Sequence, residues 1–207
     1  MSTTLTDQLF AQLSGTPLQQ ISQQLGVGQA QTAGAVSAAL PLLLGALGKN
    51  ASQPQGAQAL FGALQNDFSG AGDLGGLLGA VLGGQQSRQT NGAGILGHVL
   101  GSRQPAAAAG LGQATGLGSD KAGQLMKILA PIVLAFLAKQ MFQNKGGQQD
   151  ASAQMLGSIL GQEQQQVRQQ GGLGGGLLGA VLDQDGDGQL GLGDLLKIGG
   201  GLLGGKR

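Results

Sequence analysis

Apolar residues at Leu18, Ile21 and Leu25 recur at three- and four-residue spacing, which predicts a short amphipathic helix over 18–25. Gly26 fits the stop of that helix, because a left-handed residue without a Cβ carries no steric cost. A longer helix is predicted from about Gln29 to Gly48. It is interrupted at Pro41, which removes one backbone hydrogen bond and is expected to kink or break the helix.

The same text returns further along. Ile21 and Leu111 open two stretches that align without a gap, 90 positions apart (111 − 21). Gln23 and Gln113, Gly26 and Gly116, Gly28 and Gly118, Pro41 and Pro131, Lys49 and Lys139 coincide. A proline recurring in register inside otherwise helical text points to an internal duplication. In the second copy Ser119 is expected to cap a helix that rises through Lys121 to Leu129 and kinks at Pro131. Helices around Ala57 to Leu64 and Ala151 to Leu160 would complete the two units. A further echo, Gly75 to Leu82, recurs identically at Gly175 to Leu182, with a looser copy at Ile95 to Leu100. Ser69 to Gly94 and Gln162 to Gly176 read as Gly/Gln-rich connectors, partly ordered at best.

These patterns divide the chain into four segments. A first helical repeat covers 1–68, and a Gly/Gln-rich connector with short helices covers 69–104. A second repeat covers 105–161, and a Gly-rich linker with an acidic loop covers 162–207.

Composition narrows the function. With 43 Gly, 2% aromatic and 10% charged residues, the core must rely on aliphatic side chains at close approach. Average domains carry about 25% charged residues, so this surface is weakly charged and resists association poorly. A homo-oligomer or a protein partner is therefore expected. The net charge of +1 supplies no field to steer the chain to nucleic acid or an anionic membrane. The absence of cysteine removes disulfides, thiolate chemistry and cysteine-bound zinc together. The first seven residues have neither a basic nor an apolar signal region, so the expected location is cytoplasmic, with leaderless export as the alternative. The most apolar run, Ile128 to Ala138, is about half of the roughly 20 residues a spanning helix needs, and reads as a buried core helix.

Catalytic equipment is not visible. His98 is the one histidine, and its neighbours Ile95, Leu96, Val99 and Leu100 predict a packed, partly buried imidazole. No serine, histidine and aspartate share a spacing that suggests a triad, and no Gly-x-Gly stretch leads into Lys-Ser/Thr. The expectation is a protein that is not an enzyme. Ile21 to Val36 has the rhythm of a DNA-reading helix-turn-helix, yet no Lys or Arg precedes Lys49. Phosphate neutralisation supplies most non-specific DNA affinity, so nucleic acid is disfavoured as a partner.

The acidic residues carry the chemistry. Of 10 Asp and Glu, four stand in one twelve-residue stretch: Asp183, Asp185, Asp187 and Asp194. Calcium takes about six to eight oxygen ligands, which an EF-hand loop supplies from positions 1, 3, 5, 7, 9 and 12. Asp183, Asp185 and Asp187 occupy the first three of these, Gly188 the sharp turn at 6, and Gln189 the backbone carbonyl at 7. Leu190 takes the apolar position 8 and Asp194 closes the loop. So dense a negative cluster needs a counter-ion. The loop resembles EF-hand and dockerin-type calcium loops, with Asp in place of the usual Glu at position 12. That side chain is one methylene shorter, which lowers the expected affinity and admits Mg²⁺ as a second ion. The expected fold is all-α: two tandem repeats of helix, glycine turn and proline-kinked helix, followed by this EF-hand-like loop between short helices.

Over roughly residues 5 to 160, the duplicated unit, Gly94 to Gly101 and Ala130 to Leu137 resemble a bacterial family of uncharacterised proteins, domain of unknown function 937. The resemblance implies an all-helical fold and a bacterial source, and it carries no functional residues over. The leading expectation is a calcium-responsive structural or interaction module. Gly-spaced apolar stretches such as Leu74 to Leu82 suggest a membrane-associated or self-assembling protein as the alternative. DNA binding through the helix-turn-helix-like units comes third.

Overall fold

A computed structural model describes residues 4–68, 74–85, 87–142 and 153–169. Every regular element among them is helical, so the protein is all-α. The elements are α1 (Leu5–Leu13), α2 (Thr16–Leu25), α3 (Gln29–Ala51), α4 (Pro54–Asp67), α5 (Leu74–Leu82), α6 (Gly92–Leu100), α7 (Gln104–Thr115), α8 (Ser119–Phe142) and α9 (Ala153–Gln169). A single 3₁₀ turn at Gly101–Arg103 joins α6 to α7.

Local chemistry explains the ends. Thr4 opens α1 with a capping box: its hydroxyl accepts from the Asp7 amide at 3.0 Å, and the Asp7 carboxylate accepts from the Thr4 amide at 3.2 Å. Pro17 sits in the first turn of α2, where a missing N–H costs nothing. Gly26 ends α2 at φ 61°, ψ 43°, and Gly116 ends α7 at φ 69°, ψ 12°. Both are left-handed stops at positions 90 apart (116 − 26).

The centre of the molecule is the pair α3 and α8. They pack on each other, α3 also meets α1, α2, α4, α6, α7 and α9, and α8 also meets α2, α4, α5, α6 and α7. Residues 38–48 and 128–138 are buried at every position, the behaviour of a helix that is apolar all round. Positions 32–50 and 122–140 match one for one in being buried, half-buried or exposed.

The prolines do not break their helices, one of the two outcomes the sequence suggested. Pro41 and Pro131 lie inside α3 and α8, and neither ends its helix. An interior proline costs about 3 kcal/mol. Each fully buried leucine contributes about 2 kcal/mol, so Leu40, Leu42, Leu43 and Leu44 alone outweigh it. Around Pro131 the packing is closer still. The residue has no N–H to give the Lys127 carbonyl four positions back, and the first residue of α6, Gly92, lies against that carbonyl. A Cβ on Gly92 would overlap the Lys127 oxygen.

Two segments read as connectors contain helices. α5 lies within the first and packs on α8 and α2 through a side that includes buried Leu77 and Leu78. α9 extends into the second and packs on α3 and α4. Glycine weakens helix propensity locally, but burying leucine against two partners outweighs about 1 kcal/mol per glycine.

α3 and α8 run to 23 and 24 residues, with hydropathies of 1.5 and 1.7 over their most apolar windows. By length and composition both reach what a membrane span needs. The short run at 128–138 thus belongs to a longer helix than the apolar residues alone indicated. Some 72% and 78% of these two windows are buried inside the fold, as in core helices.

Candidate functional site

The five ligands read from the sequence, Asp183, Asp185, Asp187, Gln189 and Asp194, lie outside the described residues. Among the described residues no three His, Cys, Asp or Glu side chains gather where they could hold a metal.

His98 is placed, and differently from expectation. It is exposed. Leu96 and Leu100 are the buried residues of this turn of α6, and successive positions rotate by about 100°, which turns His98 away from the face they share. Apolar neighbours in sequence therefore do not bury it.

That outer face of α6 forms one wall of a cavity of about 630 Å³. Asn91, Ile95 and His98 line it at three- and four-residue spacing, so one stripe of the helix faces the space. The opposite wall is α4, through Gly56, Ala59, Leu60, Ala63 and Asp67. Leu47 of α3 and Leu134 of α8 supply apolar floor between them.

Each end of the cavity is tied. At one end Asn50 donates from Nδ2 to the His98 carbonyl at 3.3 Å, joining the end of α3 to α6. A Cβ at Gly56 would overlap the Asn50 carbonyl, so the start of α4 sits tightly on the same residue. At the other end the Gln89 side-chain amide donates to the Asp67 carbonyl, holding the end of α4 beside the turn that leads into α6. Asn91 caps α6 there, its side chain accepting from the Gly94 amide at 2.9 Å.

Two opposite charges line this second end, Asp67 from α4 and Arg88 from the turn. Among the described residues no ion pair joins their side chains to each other or to a third group. The cavity thus combines an apolar floor, amides at both ends and one charge of each sign. Among the described residues that line it, none pairs His98 with a nucleophile and an orienting carboxylate.

Sequence reading did not find this site. The stripe Asn91, Ile95, His98 was readable as one helical face, but its opposing wall on α4 and its floor come from distant segments that only the fold brings together.

A family model described as "Bacterial protein of unknown function (DUF937)" matches residues 7–140, from α1 to near the end of α8. No curated protein and no solved structure matches the chain.

Proposed function

The chain belongs to that bacterial family of unknown function, so its role must come from its own residues, and we propose a non-enzymatic calcium-binding module with a structural or protein-interaction role. One observation carries the reading: Asp183, Asp185, Asp187, Gly188 and Asp194 meet five positional requirements of a calcium loop at once. The ion neutralises the cluster and orders the flanking Leu/Gly segments, coupling binding to folding. Asp194 in place of Glu makes this a site of modest affinity that also takes Mg²⁺.

Calorimetry and thermal melting with Ca²⁺, Mg²⁺ and chelator test it. Heat on Ca²⁺ addition and a rise in melting temperature are expected, and Asp183→Ala with Asp187→Ala should remove both. No heat and no shift at about 1 mM Ca²⁺ ends the proposal, since a weaker site belongs to no known class of this loop.

A second reading, membrane association or self-assembly, draws support from the length and hydropathy of α3 and α8. Against it stands the burial of both helices within the chain's own fold. Vesicle flotation decides the membrane part, which a protein wholly in the soluble fraction removes, and sedimentation of that fraction as a monomer removes self-assembly. DNA binding has less behind it, because the first half of α3 exposes Gln29, Ala30, Gln31, Gly34 and Ser37, none of them cationic.

A further inference from the structure

The cavity between α4 and α6 lies in a different part of the chain from the acidic loop, and it has the features of a ligand site. We infer that it binds a small zwitterion with an apolar side group, of the class of a free apolar α-amino acid.

Size is the first argument. Small-molecule sites occupy roughly 300–1,000 Å³ and are mostly apolar with a few polar groups that fix orientation. At about 630 Å³, over Leu47, Leu60 and Leu134, this cavity falls inside that range.

Charge is the second. Asp67 and Arg88 line the same end, and among the described residues neither side chain is in an ion pair. A ligand that carried only a carboxylate would gain Arg88 and meet Asp67; one that carried only an ammonium would face the reverse. A molecule with both groups on one carbon satisfies both walls. Its apolar side group then lies along the leucine floor, where burying it adds the larger share of the affinity.

The backbone points the same way. α4 ends at Asp67 and α6 begins at Gly92, and the Gln89 contact holds these two ends together. The partial negative charge at the end of α4 favours the ammonium, and the partial positive charge at the start of α6 favours the carboxylate. Helix ends and side chains thus place the same sign on the same wall.

Titration of the full-length chain with L-leucine or L-phenylalanine in the presence of chelator, read by calorimetry or ligand-observed NMR, tests this apart from the calcium proposal. Leucine is expected to bind, with leucinamide (no carboxylate) and 4-methylpentanoate (no ammonium) each weaker by at least about tenfold. Arg88→Gln should weaken leucine by a similar factor and leave leucinamide unchanged. Asp67→Asn should weaken leucine and leave 4-methylpentanoate no worse. Ala59→Phe, an exposed position on the α4 wall, should block binding by filling the space while the fold is retained by circular dichroism. No binding of either amino acid at about 10 mM overturns the proposal, as does 4-methylpentanoate binding as tightly as leucine. Leucine binding unchanged by both charge variants overturns it as well.

Discussion

The two stretches that align at an offset of 90 share their cores and differ at their edges. α3 and α8 have the same burial at every position over 32–50 and 122–140, and each follows a short helix closed by a left-handed glycine. They also exchange one contact in both directions. The Gln31 amide donates to the Gly116 carbonyl at 3.1 Å, and the Lys121 ammonium donates to the Gly26 carbonyl at 3.3 Å. Gln31 and Lys121 are themselves 90 apart (121 − 31), as are the glycines they reach, so the contact is reciprocal in the manner of a two-fold interface. The edges break this correspondence. α9 packs most extensively on α3, the other stretch's long helix, and α4 divides its packing among α3, α8 and α9. The cavity opens on that side of the molecule, between α4 and α6. A shared core supplies rigidity, and the departures from it supply a site.

The largest test of this contrast is Gly92→Ala. A Cβ there overlaps the Lys127 carbonyl, so α6 must shift off α8, and the unfolding free energy should fall by about 3 kcal/mol in urea denaturation. An unchanged midpoint would mean that α6 is not seated on the carbonyl that Pro131 frees. Next come Gly26→Ala and Gly116→Ala. Each forces a Cβ into the left-handed region and should cost about 1 kcal/mol, with the same value at both sites. A difference larger than ~1 kcal/mol between them would show that the two stretches are not equivalent where their helices turn. Gly97→Ala should act in the opposite direction. It is exposed in mid-α6 with nothing within 4 Å of a Cβ, and should raise stability by about 0.5 kcal/mol. The smallest effect is expected from the exchanged contact: Lys121→Ala and Gln31→Ala should each cost below about 0.5 kcal/mol, because both bonds are exposed.

Most of the helices were legible because their signals are local. The spacing of Leu18, Ile21 and Leu25 gave α2, and Gly26 marked its end. The recurrence of Pro41 as Pro131 marks the two long helices in the sequence itself. Features that depend on distant residues are not written in the local sequence. Proline is a helix breaker on local grounds, and only the burial of both long helices shows why it does not break these. His98 reads as buried because its sequence neighbours are apolar, whereas exposure is decided by which side of α6 meets α8. The cavity was invisible for the same reason: Asp67 and Arg88 are unremarkable surface charges until α4 and α6 stand opposite each other. The proposed calcium loop is the reverse case: spacing alone suggests it, and it lies outside the described residues.

The central position of α3 has a consequence for how the protein is made. The helix is complete once residue 51 has been added, but α9, its most extensive partner, starts at residue 153, 102 residues later (153 − 51). At about 5–20 residues per second a ribosome needs roughly 5–20 s to synthesise that stretch. For that interval the nascent chain carries an incompletely covered helix of 23 residues with the length and hydropathy of a membrane span. The surface of α3 that α9 covers in the finished fold therefore waits for the last described helix of the chain, and the order of synthesis sets how long it stays uncovered.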